Sequence, residues 1–352
     1  MMNCGYTIIL DDMRLLKQEN IPYEKMRNKT ILVTGATGML AAYVVHFCMY
    51  LNETEGYGIR VLALVRNKEK ALEKFSKYEN DSNFEFLVQD VCDEIRYDGR
   101  IDYIIHAASN ADPRTYAIQP VETVLTNVIG NNNIFEYCRY HKKTRVILTS
   151  SFEVYGKIEN HDIYKEEDCG ILDFQILRNG YPESKRCAEI LLHSYVEEYN
   201  IDAVIARLSS IYGPTMQVND SKAHAQFIRN ALHGDNIVLK SKGLPRRTYC
   251  YVTDAASAIL YVLFNGKTGE VYNIANEKSI ASIAEVAQTI AGIVGTSVVF
   301  DFPDEIESKG FSKPQNCILD NSKLRKLGWH AEYILENGMR ETIQTLKFFE
   351  NI

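Results

Sequence analysis

The chain has 352 residues, of which 46% are hydrophobic and 24% charged, enough for one large domain or two closely joined domains around a sizeable core. Its net charge of -7 at pH 7 argues against a broad basic surface, so nucleic acid and anionic membranes are not expected partners. The 8 cysteines form no CxxC pair and the 8 histidines no HxxxH spacing, so we expect reduced core cysteines and no metal site.

Neither a targeting segment nor a membrane span is predicted. The amino-terminal sequence MMNCGYTIILDDMR has two aspartates directly after a short apolar patch and lacks a basic start. The longest apolar run, residues 39–51, contains His46 and falls short of the roughly 18 to 20 residues that a spanning helix needs. We therefore expect a cytoplasmic protein.

Residues 1–29 precede the first predicted strand, and within them 9–18 is a candidate helix whose role the sequence does not indicate. From residue 30 onwards, apolar β-type runs alternate with helix-type stretches, which is the βαβ pattern of a doubly wound parallel sheet. The predicted strands are 30–35, 59–67, 84–91, 101–109, 144–151 and 201–208, and the predicted helices include 39–51, 119–141 and 183–199.

After residue 208 the pattern changes to loops rich in Gly, Pro and Lys, followed by a predicted helix over 280–295 and a predicted strand over 297–300. The predicted fold class is α/β: a Rossmann-type doubly wound parallel sheet with a smaller C-terminal α/β substrate lobe. The predicted organisation is an N-terminal extension over 1–29, a dinucleotide-binding domain over 30–208 and a mainly substrate-binding lobe over 209–352. Some segments of that lobe are expected to return to the Rossmann sheet.

The first predicted strand runs into a helix through the sequence ILVTGATGMLA, residues 31–41. Small residues at this spacing let the backbone approach a pyrophosphate, and the helix N-terminus supplies unpaired N–H groups. A plain strand-to-helix turn is the alternative, but the place at the start of a βαβαβ series favours a dinucleotide site. The cofactor-binding residues predicted here are Gly35, Thr37, Gly38, Met39 and Leu40.

Two later strand ends fit the same site. Asp90 and Val91 close the third predicted strand, where a carboxylate can accept a hydrogen bond from an adenine amino group. Ala107, Ala108 and Ser109 follow the fourth, where small side chains leave room for a cofactor. Loop capping is the alternative explanation for both.

The second predicted strand ends with Arg66, where a carboxylate would bind the adenosine ribose. An arginine suits a 2′-phosphate, with Lys68 as a second ligand, so NADP is possible as cofactor. A solvated arginine explains the residue equally well. We expect NAD, because a single arginine is thin support for a phosphate site.

Tyr181 and Lys185 are four residues apart at the start of a predicted helix, so their side chains point to the same side. An ammonium group lowers the pKa of a nearby phenol and lets tyrosinate act as a base. Among 22 tyrosines such a pair arises easily by chance, but the fifth predicted strand ends in LTSSFEVYG, which places Ser151 and Glu153 at the ligand-binding edge of the sheet. We predict Ser151, Glu153, Tyr181 and Lys185 as the catalytic residues.

These motifs, together with TNVIGNNN, RLSSIYGP, RRTYCYVTD and DNSKLRKLGW, resemble the extended short-chain dehydrogenase/reductases, the NAD-dependent epimerase/dehydratase family that acts on nucleotide-diphosphate sugars. The resemblance implies that Tyr181 is the base, that Lys185 orients the nicotinamide ribose and that Ser151 hydrogen-bonds the sugar hydroxyl. It implies that Asn127 supports the cofactor-binding half of the site. It also implies that Arg247 holds the diphosphate of a nucleotide sugar, which we expect to be UDP-linked. It also implies a homodimer formed through the predicted helices 119–141 and 183–199.

Within that family, YPESKRCAE, SFEVYG and Arg178 are most similar to UDP-glucuronate decarboxylases, with 4,6-dehydratases next. Those decarboxylases carry a serine, and those dehydratases an aspartate, where this chain has Phe152. A phenylalanine cannot donate a proton to a departing hydroxyl. Ser210 replaces a common asparagine, and the predicted substrate-binding set is Ser151, Arg178, Ser210 and Arg247.

We therefore expect a nucleotide-diphosphate-sugar epimerase that works through a 4-keto intermediate and retains its nicotinamide cofactor. An epimerase needs only the Ser, Tyr and Lys core and space for the keto sugar to turn over. The alternatives are UDP-glucuronate decarboxylation or 4,6-dehydration, net reduction with NADPH, and a non-catalytic cofactor-sensing function.

Overall fold

The computed structural model describes residues 4–217, 220–302 and 315–350. The strands are β1 (Thr30–Thr34), β2 (Arg60–Val65), β3 (Phe84–Val88), β4 (Tyr103–His106), β5 (Arg145–Ser151), β6 (Ile163–Tyr164), β7 (Asp202–Leu208), β8 (Ser210–Tyr212), β9 (Ile237–Leu239), β10 (Arg246–Tyr251), β11 (Val271–Ile274), β12 (Ile280–Ser282), β13 (Val298–Phe300) and β14 (Ile318–Leu319). The helices are α1 (Cys4–Gln18), α2 (Met39–Glu55), α3 (Lys68–Phe75), α4 (Pro113–Ile118), α5 (Pro120–Tyr140), α6 (Gly180–Tyr199), α7 (Ala223–Leu232), α8 (Val252–Asn265), α9 (Ile283–Val294), α10 (Ser322–Leu327) and α11 (Leu335–Glu350).

Seven strands form one parallel sheet in the order β3-β2-β1-β4-β5-β7-β11. In this register Leu32 of β1 lies between Leu62 of β2 and Ile104 of β4. The chain builds outward from β1 to β3 and then returns to β4, so the strand order reverses between β1 and β4. Ligands of open α/β sheets bind outside the carboxyl ends of the strands at such a reversal, so the topology determines where a cofactor site can form.

Helices cover both faces of this sheet, and its central strands are therefore apolar on both sides. Ile31 and Val33 of β1 pack in one core cluster with residues of α2 and α8. Leu32, between them, packs in a second cluster with residues of α5 and α6. The alternation explains the continuous hydrophobic runs in the sequence, and the predicted Rossmann-type doubly wound sheet is confirmed.

A smaller lobe is built on the three-stranded sheet β12-β10-β8 and on the pair β13-β9, with α7 and α9 packed against it. The expectation of a single helix over 280–295 is wrong at its start, because residues 280–282 pair with β10 as a strand. Ser282 forms a capping box with Glu285, so this serine ends β12 and starts α9. β11, which follows residue 208 in sequence, lies at the edge of the large sheet beside β7.

The residues ahead of β1 are folded onto the domain. α1 packs against α2, α8 and α11. It buries Ile9, Met13 and Leu16 in the larger core cluster. The helix is longer than the predicted 9–18, since residues 4–8 continue it.

Cysteine burial is mixed: Cys48, Cys138 and Cys250 are buried, whereas Cys169 and Cys187 are exposed, contrary to the expectation of core positions. Within the ranges given above, no helix is long and apolar enough to cross a membrane. The same residues contain no group of three or more His, Cys, Asp or Glu side chains that could hold a metal ion. The cytoplasmic location stays a prediction.

A pair of glycines tests the turn between β1 and α2. Gly35 and Gly56 both have positive φ, +60° and +62°, but only a Cβ at Gly35 would collide, lying 2.8 Å from Ala108 Cα. We expect Gly56→Ala to lower the free energy of unfolding by about 1 to 2 kcal/mol through backbone strain alone. Gly35→Ala should lower it by roughly a further 1 to 3 kcal/mol through overpacking, as measured by urea denaturation. Equal losses in the two variants would contradict the close approach.

Candidate active site

A cavity of about 400 Å³ opens at the carboxyl edge of the large sheet, facing the smaller lobe. Most of the residues predicted for the site line it. From the cofactor side these are Gly38, Met39, Leu40, Ala107 and Ser109; from the catalytic side Ser151, Glu153, Arg178, Tyr181 and Lys185; and from the lobe Ser210 and Arg247. The fold thus gathers residues that are far apart in sequence around one cavity.

The turn from β1 into α2 is held against the end of β4. The Thr34 hydroxyl oxygen accepts hydrogen bonds from the backbone N–H groups of Ala107 and Ala108, both at 3.1 Å. Gly35 adopts positive φ beside these alanines, and Gly38 is the N-cap of α2. Thr37 does not line the cavity, and its carbonyl accepts a hydrogen bond from Lys74 Nζ at 2.9 Å. The open first turn of α2 therefore faces the cavity with its free N–H groups, as a pyrophosphate requires.

Buried polar atoms beside this turn support a dinucleotide ligand. Ser109 Oγ and Asn110 Nδ2 are buried without a hydrogen-bond partner among the described residues, and both residues line the cavity. Asn127 Oδ1 on α5 is likewise unpartnered within that part of the chain, while its Nδ2 donates to Ser184 Oγ at 3.0 Å. Because buried polar groups are normally hydrogen-bonded, these atoms fit a polar cofactor.

Arg66 does not lie in this cavity. It lines a second one of about 630 Å³ together with Asp90 and Glu122. Its Nη1 is 2.5 Å from Glu122 Oε1 and 4.0 Å from Asp90 Oδ2. The other Asp90 oxygen accepts from the backbone N–H of Cys92 at 2.8 Å, and Val91 is buried against Gly130 of α5. The two carboxylates beside Arg66 make its surroundings unfavourable for a 2′-phosphate.

Tyr181 and Lys185 occupy the first two turns of α6, and both are almost fully buried. Lys185 Nζ donates to the Thr149 carbonyl at 2.9 Å, and burial lowers the pKa of this lysine to about 8 against the opposing effect of Glu189. Burial, reinforced by the charge of Glu153, raises the pKa of Tyr181, while a hydrogen bond with Ser151 lowers it. The expected lowering of the phenol pKa by the lysine is wrong for this arrangement, because burial and the charge of Glu153 raise the pKa and Ser151 is the group that lowers it.

The two serines at the end of β5 differ in their surroundings. Ser150 donates to the Glu189 carboxylate, which is paired with Arg207 at 2.7 Å. Ser151 hydrogen-bonds Tyr181, and its Oγ accepts from the backbone N–H of Glu153 at 3.2 Å. Ser151 is therefore the serine next to the candidate base.

Tyr116, in α4, is a site residue that the sequence reasoning missed. Its ring stacks on the Tyr181 ring with centroids 5.0 Å apart and planes 12° from parallel. Its hydroxyl donates to Glu153 Oε1 at 3.4 Å and accepts from Arg178 Nη2 at 3.1 Å. Arg178 Nη1 also lies 3.4 Å from Glu153 Oε2. Both Glu153 oxygens are thus engaged beside the base, and no local motif signals the tyrosine that engages one of them.

The lobe contributes a cationic wall to the cavity. The Arg247 guanidinium on β10 lies 5.5 Å from the centre of the Phe152 ring. Arg247 Nε and Ser209 Oγ are buried without a partner among the residues described, and both residues line the cavity with Ser210 and His224. An unsatisfied guanidinium N–H in a cavity is suited to an anionic ligand such as a diphosphate.

A Rossmann-type sheet whose carboxyl edge combines a glycine turn with Ser151, Tyr181 and Lys185 defines a short-chain dehydrogenase/reductase. The chain belongs to the NAD dependent epimerase/dehydratase family, whose sequence pattern matches residues 31–275. It is therefore an enzyme of a family of nucleotide-sugar epimerases, dehydratases and decarboxylases, and NAD is the cofactor of that family.

Similar proteins carry out three different reactions. UDP-glucuronic acid decarboxylase 6 of Arabidopsis thaliana is 30% identical over 317 residues, which cover 89% of this chain and 87% of that protein. The structure of dTDP-glucose 4,6-dehydratase from Bacillus anthracis str. Ames in complex with NAD has a TM-score of 0.75 at 23% identity, covering 92% of this chain and 98% of the other. That of UDP-glucose 4-epimerase from Thermotoga maritima with UDP-glucose has a TM-score of 0.76 at 23% identity, covering 92% and 99%. The two structures show that the fold is shared.

Removing one hydroxyl tests the candidate base. Tyr181→Phe should lower kcat by about 10²- to 10⁴-fold, the usual loss for a general base, without lowering the urea midpoint. Tyr195→Phe is the matched control, because Tyr195 is also a buried tyrosine of α6 but hydrogen-bonds Asn132 and Glu136 away from the cavity. Near-normal turnover in folded Tyr181→Phe would contradict the assignment.

The ion pairs of Arg66 predict cofactor preference. Cofactor-free protein should bind NAD about 10-fold or more tightly than NADP, because Asp90 and Glu122 would repel a 2′-phosphate. Glu122→Gln should reduce the ratio of NAD affinity to NADP affinity, because it removes one of these carboxylates. Glu85→Gln is the control: it removes the exposed ion-pair partner of Arg60 and should leave the ratio unchanged. Calorimetric titration with each dinucleotide measures this. A preference for NADP that disappears in Arg66→Ala would show the opposite role for the arginine.

Proposed function

We propose that the enzyme inverts a hydroxyl of a nucleotide-diphosphate sugar through a 4-keto intermediate and retains its cofactor through the cycle. The observation that carries this proposal is the Ser151, Tyr181 and Lys185 set, placed in one cavity beside a phenylalanine where a proton donor would otherwise stand. Bound NAD supplies a hydride acceptor that can return the hydride later in the same cycle. The overall reaction is then redox-neutral.

The roles follow from the contacts. Tyr181 takes the proton of the C4 hydroxyl as the hydride leaves C4, and Ser151, which hydrogen-bonds Tyr181, also binds this hydroxyl. By the family resemblance, Lys185 would hold the cofactor ribose, and its charge would stabilise the tyrosinate. After the keto sugar turns over, Tyr181 would give back the proton to the C4 oxygen as the cofactor, when bound, would return a hydride to the opposite face of C4.

The substrate half of the cavity is suited to a diphosphate. Arg247 Nε is buried with no partner inside the described ranges, and Ser209 and Ser210 lie at the same wall. A guanidinium forms strong charge-assisted hydrogen bonds with phosphate oxygens. We assign the diphosphate to Arg247 and expect a UDP-linked sugar, in line with the nucleotides named for the relatives.

Phe152 argues against 4,6-dehydration. Removing the C6 hydroxyl as water requires a proton donor for the departing oxygen, and a phenyl ring has none. Glu153 is the next residue in the chain, and its two oxygens are engaged by Tyr116 and Arg178. Decarboxylation needs a proton at C5 after carbon dioxide leaves, so the same two residues make it less well supported than epimerisation.

A specific observation keeps decarboxylation as the second candidate. Arg178 and Arg247 both line the cavity, and one arginine more than a diphosphate requires would suit the C6 carboxylate of a uronic acid. In that reaction the 4-keto acid loses its carboxyl carbon as carbon dioxide and C5 gains a proton before the hydride returns. The 30% identity to UDP-glucuronic acid decarboxylase 6 favours the same candidate.

Product analysis separates these reactions. Purified protein is incubated in separate reactions with UDP-glucose, UDP-glucuronate and dTDP-glucose, and the products are identified by NMR and mass spectrometry. We expect a C4 epimer of unchanged mass and no net formation of NADH, and no product with Tyr181→Phe. Loss of carbon dioxide from UDP-glucuronate would favour the second candidate. Loss of water would overturn the argument from Phe152, and stoichiometric consumption of NADPH would indicate a reductase.

We infer that the enzyme is a homodimer. Val121, Leu125 and Ile129 expose apolar side chains at intervals of four along α5, and Ile190 does so on α6, which packs beside it. The family resemblance implies that the equivalent helices of two protomers form a four-helix interface across a two-fold axis. Sedimentation should give twice the 40.2 kDa chain mass at micromolar concentration.

The apolar stripe predicts which substitution separates the protomers. Ile129→Lys should shift the protein towards the monomer, because it buries a charge in the interface. Leu244→Lys, which introduces the same charge at an exposed leucine of the smaller lobe, should leave the sedimenting mass unchanged. A wild-type protein that sediments only as a monomer would refute the dimer.

A further inference from the structure

One carboxylate of α1 is buried among three tyrosine hydroxyls that come from different parts of the fold. Asp12 is 4% exposed. Its Oδ2 accepts from Tyr43 at 2.7 Å and from Tyr251 at 3.0 Å, and its Oδ1 accepts from Tyr333 at 3.3 Å. A single side chain of the N-terminal helix therefore joins three other segments.

The tyrosines belong to elements that build the two halves of the active site. Tyr43 lies on α2, whose first turn follows Gly38 and lines the cavity. Tyr251 ends β10, the strand that carries Arg247 and Tyr249 into the same cavity. Asp12 thus connects the cofactor helix to the substrate-binding strand from behind the site.

Ring packing extends this connection to the cavity wall. The Tyr251 ring lies 5.7 Å from that of Tyr212, which is 6.4 Å from His224. His224 in turn is 6.1 Å from Tyr249, and both of these residues line the cavity. Because packed side chains transmit displacement, a shift of Tyr251 reaches the substrate side of the site.

The carboxylate is not explained by stability. Burial raises the pKa of Asp12 to about 6, with a smaller contribution from Glu341 of α11, while the tyrosine hydroxyls lower it. The folded pKa lies above the ordinary value of 3.8, so this group's contribution to stability is lost as the pH rises from about 4 through about 6 and the carboxyl ionises. Ile9, Met13 and Leu16 already attach α1 through apolar burial. The ionised Asp12 is thus retained at neutral pH against a stability cost.

We propose that Asp12 is a positioning residue, and that α1 sets the distance between the cofactor turn and the strand that carries Arg247. This helix precedes residues 31–275, which match the family pattern, so Asp12 lies outside the matched range while Tyr43 and Tyr251 lie inside it. The inference rests on the proposed function only for the identity of the substrate. α2 contributes residues along most of its length to the main core cluster, whereas β10 contributes its last three residues to that cluster and belongs to a three-stranded sheet. We therefore expect the loss of Asp12 to displace β10 more than α2.

Asp12→Asn tests the proposal, with Asp11→Asn as the matched control. Asp11 is the preceding residue of α1, but it is exposed and forms an ion pair with Arg14, three residues away. At pH 8 we expect Asp12→Asn to weaken UDP-glucose binding by roughly 3- to 30-fold, the range for residues that couple two sites. NAD affinity should change less than about 2-fold and the urea midpoint should not fall, because the variant removes a buried charge. Asp11→Asn should change none of these values.

Hydrogen exchange provides a readout that needs no substrate. In Asp12→Asn the amides of residues 246–251 should exchange faster, while those of 39–51 keep their wild-type rates. Tyr251→Phe, which leaves the Asp12 contacts with Tyr43 and Tyr333 in place, should reproduce both the faster exchange and the weaker UDP-glucose binding. It also replaces Asp12→Asn as the test if that variant does not fold.

The outcomes separate this inference from the proposed reaction. Wild-type UDP-glucose affinity and wild-type exchange over 246–251 in both variants would overturn the positioning role. Parallel losses of NAD binding, UDP-glucose binding and stability would also overturn it, since they indicate a merely structural contact. If wild-type protein binds both ligands but forms no epimer, the proposed reaction fails while the affinity comparison still decides the role of Asp12. If wild-type protein does not bind UDP-glucose, the exchange comparison decides it alone.

Discussion

The close approach of the Gly35 backbone to the end of β4 is the constraint on which the rest of the site depends. A Cβ at Gly35 would lie 3.0 Å from the Ala107 oxygen, so β1 and β4 can end side by side only with glycine here. The Thr34 hydroxyl secures this arrangement by accepting from both alanine N–H groups. The first turn of α2 consequently points into the gap where the strand order reverses, and the catalytic end of β5 lies one strand beyond.

Desolvation governs the chemistry of that gap. Burial lowers the pKa of Lys185 and raises that of Tyr181, so both groups are pushed towards their neutral forms. The surrounding protein leaves Ser109 Oγ, Ser209 Oγ and Arg247 Nε unpaired as far as the described residues show. Since unpaired buried polar atoms are costly, the site is built to be completed by polar, charged ligands on both of its sides. When bound, the cofactor and the substrate would bring charged groups next to Tyr181 and Lys185 and so change the polarity around this pair.

Local patterns predicted what depends on local physics. The alternation of apolar strands and helices, the glycine turn and the four-residue spacing of Tyr181 and Lys185 could all be read from the sequence. The start of α9 could have been found as well, because Ser282 and Glu285 form a capping box. The environment of Arg66 could not be predicted from the sequence, because its partner Glu122 lies 56 positions away. Tyr116 and Glu153 are 37 positions apart, and Asp12 and Tyr251 are 239 apart, so only the fold brings these pairs together.

Phe152, the residue after Ser151, bears on which reaction follows the oxidation that we propose. In the proposed reaction, oxidation at C4 would use Ser151, Tyr181 and Lys185 with bound NAD as hydride acceptor, and each alternative reaction would begin with the same oxidation. The next step depends on the groups that face this intermediate, where Phe152 offers an apolar surface packed on Arg247 and Glu153 is held by Tyr116 and Arg178. In this arrangement Phe152 and the engaged Glu153 favour neither water loss nor protonation of C5. Reduction on the opposite face requires only that the sugar rotate about its diphosphate, which Arg247 on β10 would hold in place.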